Sequence, residues 1–189
     1  MLPVPARTQL VPKPQATQGA GLNYKDPPIE PADHALGRSR GGISTKIHAL
    51  TNVRMNIVDL VLTPGQAGDN PVFIPLLDQY RADHPGMRVH AAADKAYSHP
   101  STRSRLRARR IPHTIPERDD QIARRKAKGS SGGRPPKFDA QKYRDRNVVE
   151  RGFSRLKQWR GIATRFDKHA RSFAGGVQLA ATILTLRTI

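Results

Sequence analysis

Hydrophobic and polar positions alternate along two neighbouring runs near the start of the patterned part of the chain. Residues 43–49 alternate apolar or β-branched side chains with Ser, Lys and His, as expected for a strand with one buried face. Residues 55–63 have the same β-branched character, and the short segment TNVR separates the two runs. We therefore predict two strands that pair antiparallel as a hairpin.

The pattern changes to helical spacing after the turn sequence PGQAGDNP. Asp69 or Asn70 can cap a helix there, with Pro71 at its first position. Beyond this helix, RVHAAAD predicts a short strand, HPSTRSRLRARR a basic helix and IPHTIP another short strand. This order of elements predicts an α/β fold in which helices flank a mixed sheet.

Two segments interrupt this pattern, and two helices complete it. Residues 1–36 are rich in Pro, Gln, Ala and Gly, which predicts a disordered or extended segment before a folded domain of residues 37–189. Residues 117–138 combine charge with Gly, Ser and Pro, and we predict a mobile basic loop. Asp139 can then cap a long helix that ends near Trp159, and the apolar residues 177–189 predict a buried C-terminal helix.

The charge of the chain indicates its partner. Its 189 residues include 33 Lys+Arg against 15 Asp+Glu, which gives a net charge of +18. Such an excess favours binding to polyanions, because each neutralised phosphate releases condensed counterions. DNA or RNA is the first partner to consider, and a ribosome-like or merely basic protein is the alternative. Aromatic residues make up 5% of the chain and form no stacking motif, which argues against an RNA-binding protein.

Two absences in the sequence exclude further classes of protein. The chain has no cysteine, so a disulfide framework, a thiolate metal site and cysteine catalysis are excluded. No run reaches the ~18 apolar residues that a membrane span requires. We therefore expect a cytoplasmic protein with no membrane partner.

Two acids stand in positions that suit chemistry. Tyr143, Arg146, Glu150 and Lys157 fall within roughly 60° of arc on a helix, beside an apolar stripe that would bury its other side. The alternative for Glu150 is an exposed ion pair with Arg146 at i, i+4. Asp94 ends the apolar run AAAD, a frequent location for functional acids in α/β folds, and its alternative is a turn or cap residue.

Several short motifs resemble one family. The spacing Tyr143, two residues, Arg146, three residues, Glu150, six residues, Lys157 is similar to the Tyr-(2)-Arg-(3)-Glu-(6)-Lys signature of a branch of bacterial insertion-sequence DDE transposases. The segments GRSRGG, TKIH, LTPGQAGD and ADKAY resemble the same family. The resemblance extends over about residues 33–189.

The resemblance implies an RNase H-like catalytic domain that cleaves DNA and transfers strands. Asp94 and Glu150 would be its second and third acids, and they would hold two divalent ions, Mg²⁺ or Mn²⁺. DNA contacts would come from six residues, namely Tyr143, Arg146, Lys157, Arg38, Arg40 and Lys46. A homodimer is a further expectation.

The first acid of the family has no counterpart in a suitable strand. Asp26, Glu30 and Asp33 are the acids before Gly37, and all three lie near prolines rather than within an apolar strand. We therefore expect the first strand to be missing, with the N-terminus truncated or replaced. A polypeptide from an upstream reading frame would then complete the enzyme. The alternative is a non-catalytic DNA-binding fragment or regulator of the transposase.

Other polar residues have simpler interpretations. His48, His90 and His113 occur singly on or beside strands, and we interpret them as structural histidines with satisfied hydrogen bonds. Asp69 is interpreted as a helix cap. The arginines within residues 103–110 form a solvated helix face, with DNA contact as a second use.

Overall fold

The structure, a computed structural model, describes residues 32–39, 42–144 and 146–187, so the prediction for residues 1–31 and the DNA contact predicted for Arg40 lie outside it. Three antiparallel strands come first: β1 (Gly37–Ser39), β2 (Gly42–Thr51) and β3 (Ile57–Pro64). They form one sheet in the order β1-β2-β3. The predicted hairpin is therefore confirmed.

The turn between β2 and β3 is organised by an asparagine side chain. Asn52 Oδ1 accepts hydrogen bonds from the backbone N–H groups of Arg54 at 2.9 Å and Asn56 at 3.1 Å. Met55 adopts a positive φ of 65°, which closes the turn. A short polar side chain that bonds to backbone two and four residues ahead favours such a turn over continued strand.

A second sheet follows the first helix. Helix α1 (Asn70–Asp83) has Pro71 in its first turn, as predicted, and α2 (Pro100–Ala108) connects the parallel strands β4 (Ala91–Ala92) and β5 (His113–Thr114). The strand predicted for residues 88–94 is therefore much shorter than expected, because only two of its residues pair with β5. The predicted basic helix and the short strand after it are both confirmed.

The loop predicted for residues 117–138 is wrong over most of its length. Helix α3 (Asp119–Ala127) and a 3₁₀ helix (Gly129–Gly132) occupy it. The first turn of α3 carries Asp119 and Asp120, and its last turn carries three cations. Acids at the N-terminus and bases at the C-terminus both stabilise the helix dipole. The same charges that suggested a loop therefore favour a helix.

The long helix predicted from Asp139 to Trp159 is also wrong, because two helices replace it. These are α4 (Ala140–Arg144) and α5 (Asn147–Lys157). Arg146 N–H bonds to Tyr143 O and Val149 N–H bonds to Arg146 O, both at 3.0 Å and both spanning three residues instead of four. The backbone therefore tightens between the two helices. Asp139 caps α4 as predicted, since its Oδ1 accepts from the N–H groups of Gln141 and Lys142 at 3.1 Å each.

Two further helices follow, α6 (Arg160–Thr164) and α7 (Ala170–Leu186). The C-terminal helix was predicted, and its apolar side buries Phe173 and Val177. In the described ranges, none of the helices has both the length and the apolar composition that a membrane span needs.

Hydrophobic cores lie on both faces of the first sheet. Leu50 of β2 packs against a core that α1, α2, β4 and β5 supply, whereas Ile47 of the same strand packs against a core formed by α5 and α7. Residues three apart on a strand point to opposite faces, so β2 serves both cores. The fold is thus a mixed α/β arrangement with helical layers on each side of β2 and β3.

Candidate functional site

Asp94 lies just beyond the carboxyl end of β4, as the sequence suggests. Its backbone is extended, with φ −78° and ψ 175°, and it caps the 3₁₀ helix Lys95–Tyr97. Asp94 Oδ1 accepts a hydrogen bond from Ala96 N–H at 2.6 Å. The cap interpretation is therefore confirmed, and it leaves the carboxylate at a strand end beside a cavity. A backbone bond to one oxygen fixes the orientation of the carboxylate.

Glu150 is in the first turn of α5, and its side chain is 61% exposed. Its Oε1 accepts a hydrogen bond from Arg146 Nη2 at 2.7 Å. The i, i+4 ion pair that was the simpler interpretation of this residue is therefore present. The adjoining apolar stripe is confirmed as well, because Leu156 is fully buried while Val149 and Phe153 are half-buried.

Residues next to each acid in the chain line one cavity of about 380 Å³. Ala93 and Tyr97, on either side of Asp94 in the chain, line it together with Val149, the neighbour of Glu150. The fold thus brings the chain segments that carry the two acids to the same cavity, while neither Asp94 nor Glu150 is among the residues that line it.

Tyr143 and Arg146 form a cluster with Glu150. The guanidinium of Arg146 lies 5.6 Å from the centre of the Tyr143 ring, and the same group binds Glu150. The Tyr143 ring also packs against Phe138, with ring centres 5.2 Å apart. The face that the sequence predicts for these residues is therefore formed by contacts that cross from α4 to α5.

The other residues predicted to contact DNA differ in the contacts that they make within the chain. Lys157 is exposed at the end of α5, and Arg38 is exposed on β1. Lys46, in contrast, donates to Ala67 O at 2.7 Å and to Asp69 Oδ1 at 2.9 Å. The ammonium of Lys46 is thus already engaged inside the chain.

Asp69 has a role that the sequence interpretation missed. Asp69 occupies the N-cap position of α1, as predicted, but its side chain makes no cap bond to the helix. The carboxylate pairs with Lys46 and lines the cavity beside Tyr97. Lys46 belongs to the motif segment TKIH and Asp69 to LTPGQAGD. Membership in these two motifs is the sequence signal that could have indicated this ion pair.

Charge and burial together alter proton affinities around this cavity. Burial, then the negative charges of Asp69 and Asp94, raise the pKa of Tyr97 to about 12. Burial lowers the pKa of His48, whose Nε2 lies 2.7 Å from Thr63 Oγ1. The interpretation of His48 as a structural histidine is supported by this bond. The Tyr97 hydroxyl therefore stays protonated at neutral pH.

One of the arginines predicted to form a solvated face is instead buried. Arg103 is 5% exposed, and its Nη2 donates to Ile115 O at 2.8 Å and to Pro116 O at 3.1 Å. Burial lowers the pKa of Arg103. Arg109 forms a two-bond pair with Asp78, both bonds being 2.7 Å long. These arginines therefore hold α2 against β5 and α1, while Arg105 and Arg107 remain exposed.

The acids fit a divalent ion in type but not in number. Carboxylate oxygens are the ligands that Mg²⁺ prefers, and a pair of such ions needs several of them. Asp94 and Glu150 each use one oxygen in the bonds described above. Within the described part of the chain, neither belongs to a group of three close acidic or histidine side chains. The donor set there is incomplete for a metal pair.

Comparisons with known proteins agree with the motifs. A family model described as "Transposase DDE domain" matches residues 12–185. A protein of Brucella ovis, named as a candidate transposase for insertion sequence element IS6501, is 30% identical over 145 residues, which are 77% of this chain and the whole of that protein. No solved structure matches the chain.

Proposed function

This chain belongs to the family of transposase DDE domains, and on that premise we propose that it supplies the catalytic domain for cleavage and strand transfer of insertion-element DNA. The observation that supports the proposal is that Ala93 and Val149, the chain neighbours of Asp94 and Glu150, line the same cavity. We assign these two residues as two of the three acids of the site. We assign a positioning role to Tyr97 and to the ion pair of Asp69 and Lys46, which line the cavity or pair with a residue that lines it.

The surface beside Glu150 suits a DNA backbone. Four exposed cations lie on α4 and α5, namely Lys142, Arg144, Arg151 and Lys157. Exposed Lys and Arg side chains bind phosphates, which orients the duplex without reading its sequence. Tyr143 and Arg146 lie among these cations and would contact DNA near the cut strand. The Arg146 guanidinium would then bind a phosphate and give up part of its contact with Glu150.

We assign the fold as RNase H-like, with one strand absent from the described residues. β1 pairs only with residues 42–44 of β2, and β4 pairs only with β5. Residues 48–52 and residues 88–93 line the same cavity from the two sheets. Unpaired strand edges readily accept another strand. An extended segment inserted there would join the sheets and could carry the third acid to Asp94.

Completion of the acid set would allow metal-dependent chemistry. Two Mg²⁺ or Mn²⁺ ions held by three carboxylates activate an attacking hydroxyl and stabilise the leaving oxygen of a phosphodiester. Within this chain, the residues that would hold them are Asp94 and Glu150. A segment in the gap, supplied by an upstream polypeptide, would carry the remaining carboxylate.

A plasmid-cleavage assay tests the assignment of the acids. The purified chain is incubated with Mg²⁺ or Mn²⁺ and a plasmid that carries the insertion element, with and without an apolar peptide that contains one central Asp. We expect cleavage to rise when the peptide is present and to fall at least 100-fold in Asp94→Asn and Glu150→Gln. Asp83→Asn removes an exposed carboxylate at the end of α1 and should cleave normally. Normal cleavage by either site variant would refute the assignment.

The same assay separates the missing-strand proposal from the assignment of the two acids. Efficient cleavage by the chain alone would contradict the missing strand, while the roles of Asp94 and Glu150 would still be judged by their variants. A peptide with Asn in place of Asp is the control. It would fill the gap between the two sheets without supplying a carboxylate, so it should not raise cleavage.

A non-catalytic DNA-binding fragment is the second candidate function. The incomplete set of acids among the described residues favours it. Such a fragment would bind DNA with an affinity that falls steeply with salt, because binding releases counterions. Unchanged DNA binding by Glu150→Gln, together with no cleavage under any of the conditions above, would support this function over catalysis.

A further inference from the structure

We propose that Asp33, His34 and His169 form a binding site for a transition-metal ion of the Zn²⁺ class, which fastens the segment before β1 to the start of α7. One ligand atom from each of the three side chains lies within 4.8 Å of the others. None of the three residues lines the cavity beside Asp94 and Glu150. The proposal therefore does not depend on the transposase activity.

The geometry of the three side chains is close to that of a metal site. His169 Nδ1 lies 3.4 Å from Asp33 Oδ2, and His34 Nε2 lies 4.0 Å from Asp33 Oδ1. Ligand atoms of a tetrahedral Zn²⁺ site are about 3.4 Å apart when the bonds are about 2.0–2.1 Å long. One pair is already at this spacing, and the others need to close by no more than about 1.4 Å. The imidazole rings are nearly perpendicular, at 81°, with centres 5.2 Å apart.

The supporting structure holds one ligand firmly and leaves two adjustable. His34 is 6% exposed, and its backbone oxygen accepts a hydrogen bond from Arg165 Nη2. The side chains of Asp33 and His169 are 70% and 59% exposed. His169 occupies the N-cap position of α7 but makes no side-chain cap bond. Its ring is therefore turned towards Asp33 instead of the helix.

The chemistry of the donors selects the kind of ion. Two imidazoles and one carboxylate suit Zn²⁺ and related transition metals, whereas Mg²⁺ prefers oxygen ligands alone. Three protein ligands leave one tetrahedral position for water. Arg165 donates to the carbonyl oxygens of His34 and Ala35 and lies over the Phe173 ring at 5.0 Å, so its guanidinium already has partners other than the three proposed ligand atoms.

A bound ion would link parts of the chain that are far apart in sequence. The 3₁₀ helix Ala32–His34 precedes β1, and His169 begins the helix that packs on β3. With the ion bound, the position of the segment that enters the first sheet becomes fixed relative to α7. Such a clip stabilises the folded state in proportion to the affinity and concentration of the ion.

Metal titration of the full chain, without a histidine tag, tests this site. We expect calorimetry to show one Zn²⁺ bound per chain in the presence of excess Mg²⁺. Asp33→Asn and His169→Ala should each weaken binding at least tenfold. His84→Ala removes an exposed histidine at the end of α1 and serves as the matched control, with unchanged affinity. The double variant Asp33→Asn/His169→Ala should abolish the rise in melting temperature that Zn²⁺ causes in the parent chain.

The two variants change exposed side chains, so their melting temperatures without metal should match that of the parent chain. Co²⁺ bound in place of Zn²⁺ should give visible absorption bands in the parent that the double variant lacks. Unchanged Zn²⁺ affinity in the double variant would overturn the proposal. So would loss of Zn²⁺ binding in Glu150→Gln, because that would place the ion at the other acids.

Discussion

The region around Asp94 holds its carboxylate through the backbone, whereas the region around Glu150 holds its carboxylate through one cationic side chain. Asp94 follows a paired strand and binds Ala96 N–H at 2.6 Å. Glu150 stands on an exposed helix face and binds Arg146 at 2.7 Å. The orientation of the first carboxylate is therefore fixed by a backbone bond. In the proposed function, the second carboxylate would reorient once a phosphate competes for Arg146.

The two regions also rest on different cores, and strand β2 is the element that they share. Leu50 packs into the core below Asp94, and Ile47 into the core below Glu150. Strand β2 thus contributes side chains to both cores. Each of the following substitutions or conditions disturbs one region and leaves the other as an internal reference.

Leu156→Ala should have the largest effect on stability. Leu156 is fully buried in the core of the Glu150 region. Removing its side chain leaves a cavity, and we expect a loss of about 3 kcal/mol in the free energy of unfolding. Urea denaturation measures it. Leu179→Ala, which removes a leucine that is 61% exposed, should cost less than about 1 kcal/mol; equal losses would contradict the assigned core.

Arg103→Met should destabilise the Asp94 region by about 2 kcal/mol. The substitution keeps an apolar stem but leaves the carbonyls of Ile115 and Pro116 without their buried donor. Chemical denaturation gives the free energy. Arg105→Met on the exposed side of the same helix is the control and should be close to neutral. If the control were as unstable as Arg103→Met, the loss would reflect helix propensity and not the buried bonds.

High pH should weaken the Asp94 region through Tyr97. The pKa of Tyr97 is raised to about 12 in the folded chain, against about 10 for an ordinary tyrosine. The folded state therefore holds this proton more tightly than the unfolded state. The resulting stability is fully present below pH ~10 and is lost as the pH rises towards 12. Urea unfolding across this range should show a decline that Tyr97→Phe lacks, and an equal decline in both proteins would exclude Tyr97 as its source.

Arg146→Ala should have the smallest effect. An exposed i, i+4 ion pair contributes about 0.3–0.5 kcal/mol, and salt screens it. We expect the free energy of unfolding to fall by this amount in low salt and by less at ~1 M NaCl, as urea denaturation would measure. The matched variant Arg151→Ala removes an exposed arginine one residue beyond Glu150. A larger loss for Arg146→Ala that persists in high salt would show that Arg146 has a packing role beyond the ion pair.

Local patterns in the sequence predicted several elements, and they placed Asp94 at a strand end, where the structure has it. The hairpin followed from the β-branched runs, and α1 followed from Pro71 after a capping sequence. Helix α3 was missed because its charges were interpreted as loop-forming. In the structure, Glu117 binds Arg125 through two bonds, the shorter of which is 2.8 Å, and only 15% of the Glu117 side chain is exposed. This pairing joins the residue before α3 to its last turn, so it depends on the helical conformation of residues 119–127.

The sequence by itself determined the local features of this protein: its strand and helix periods, its charge of +18, and the spacing from Tyr143 to Lys157 that identifies its family. The tertiary structure decided which polar groups meet. Asp69 pairs with Lys46 across 23 residues, and Asp33 reaches His169 across more than half of the chain. Contacts of this kind depend on how β2, α1 and α7 pack. Local propensity cannot specify them, because the free energy that fixes them comes from burial shared by distant segments.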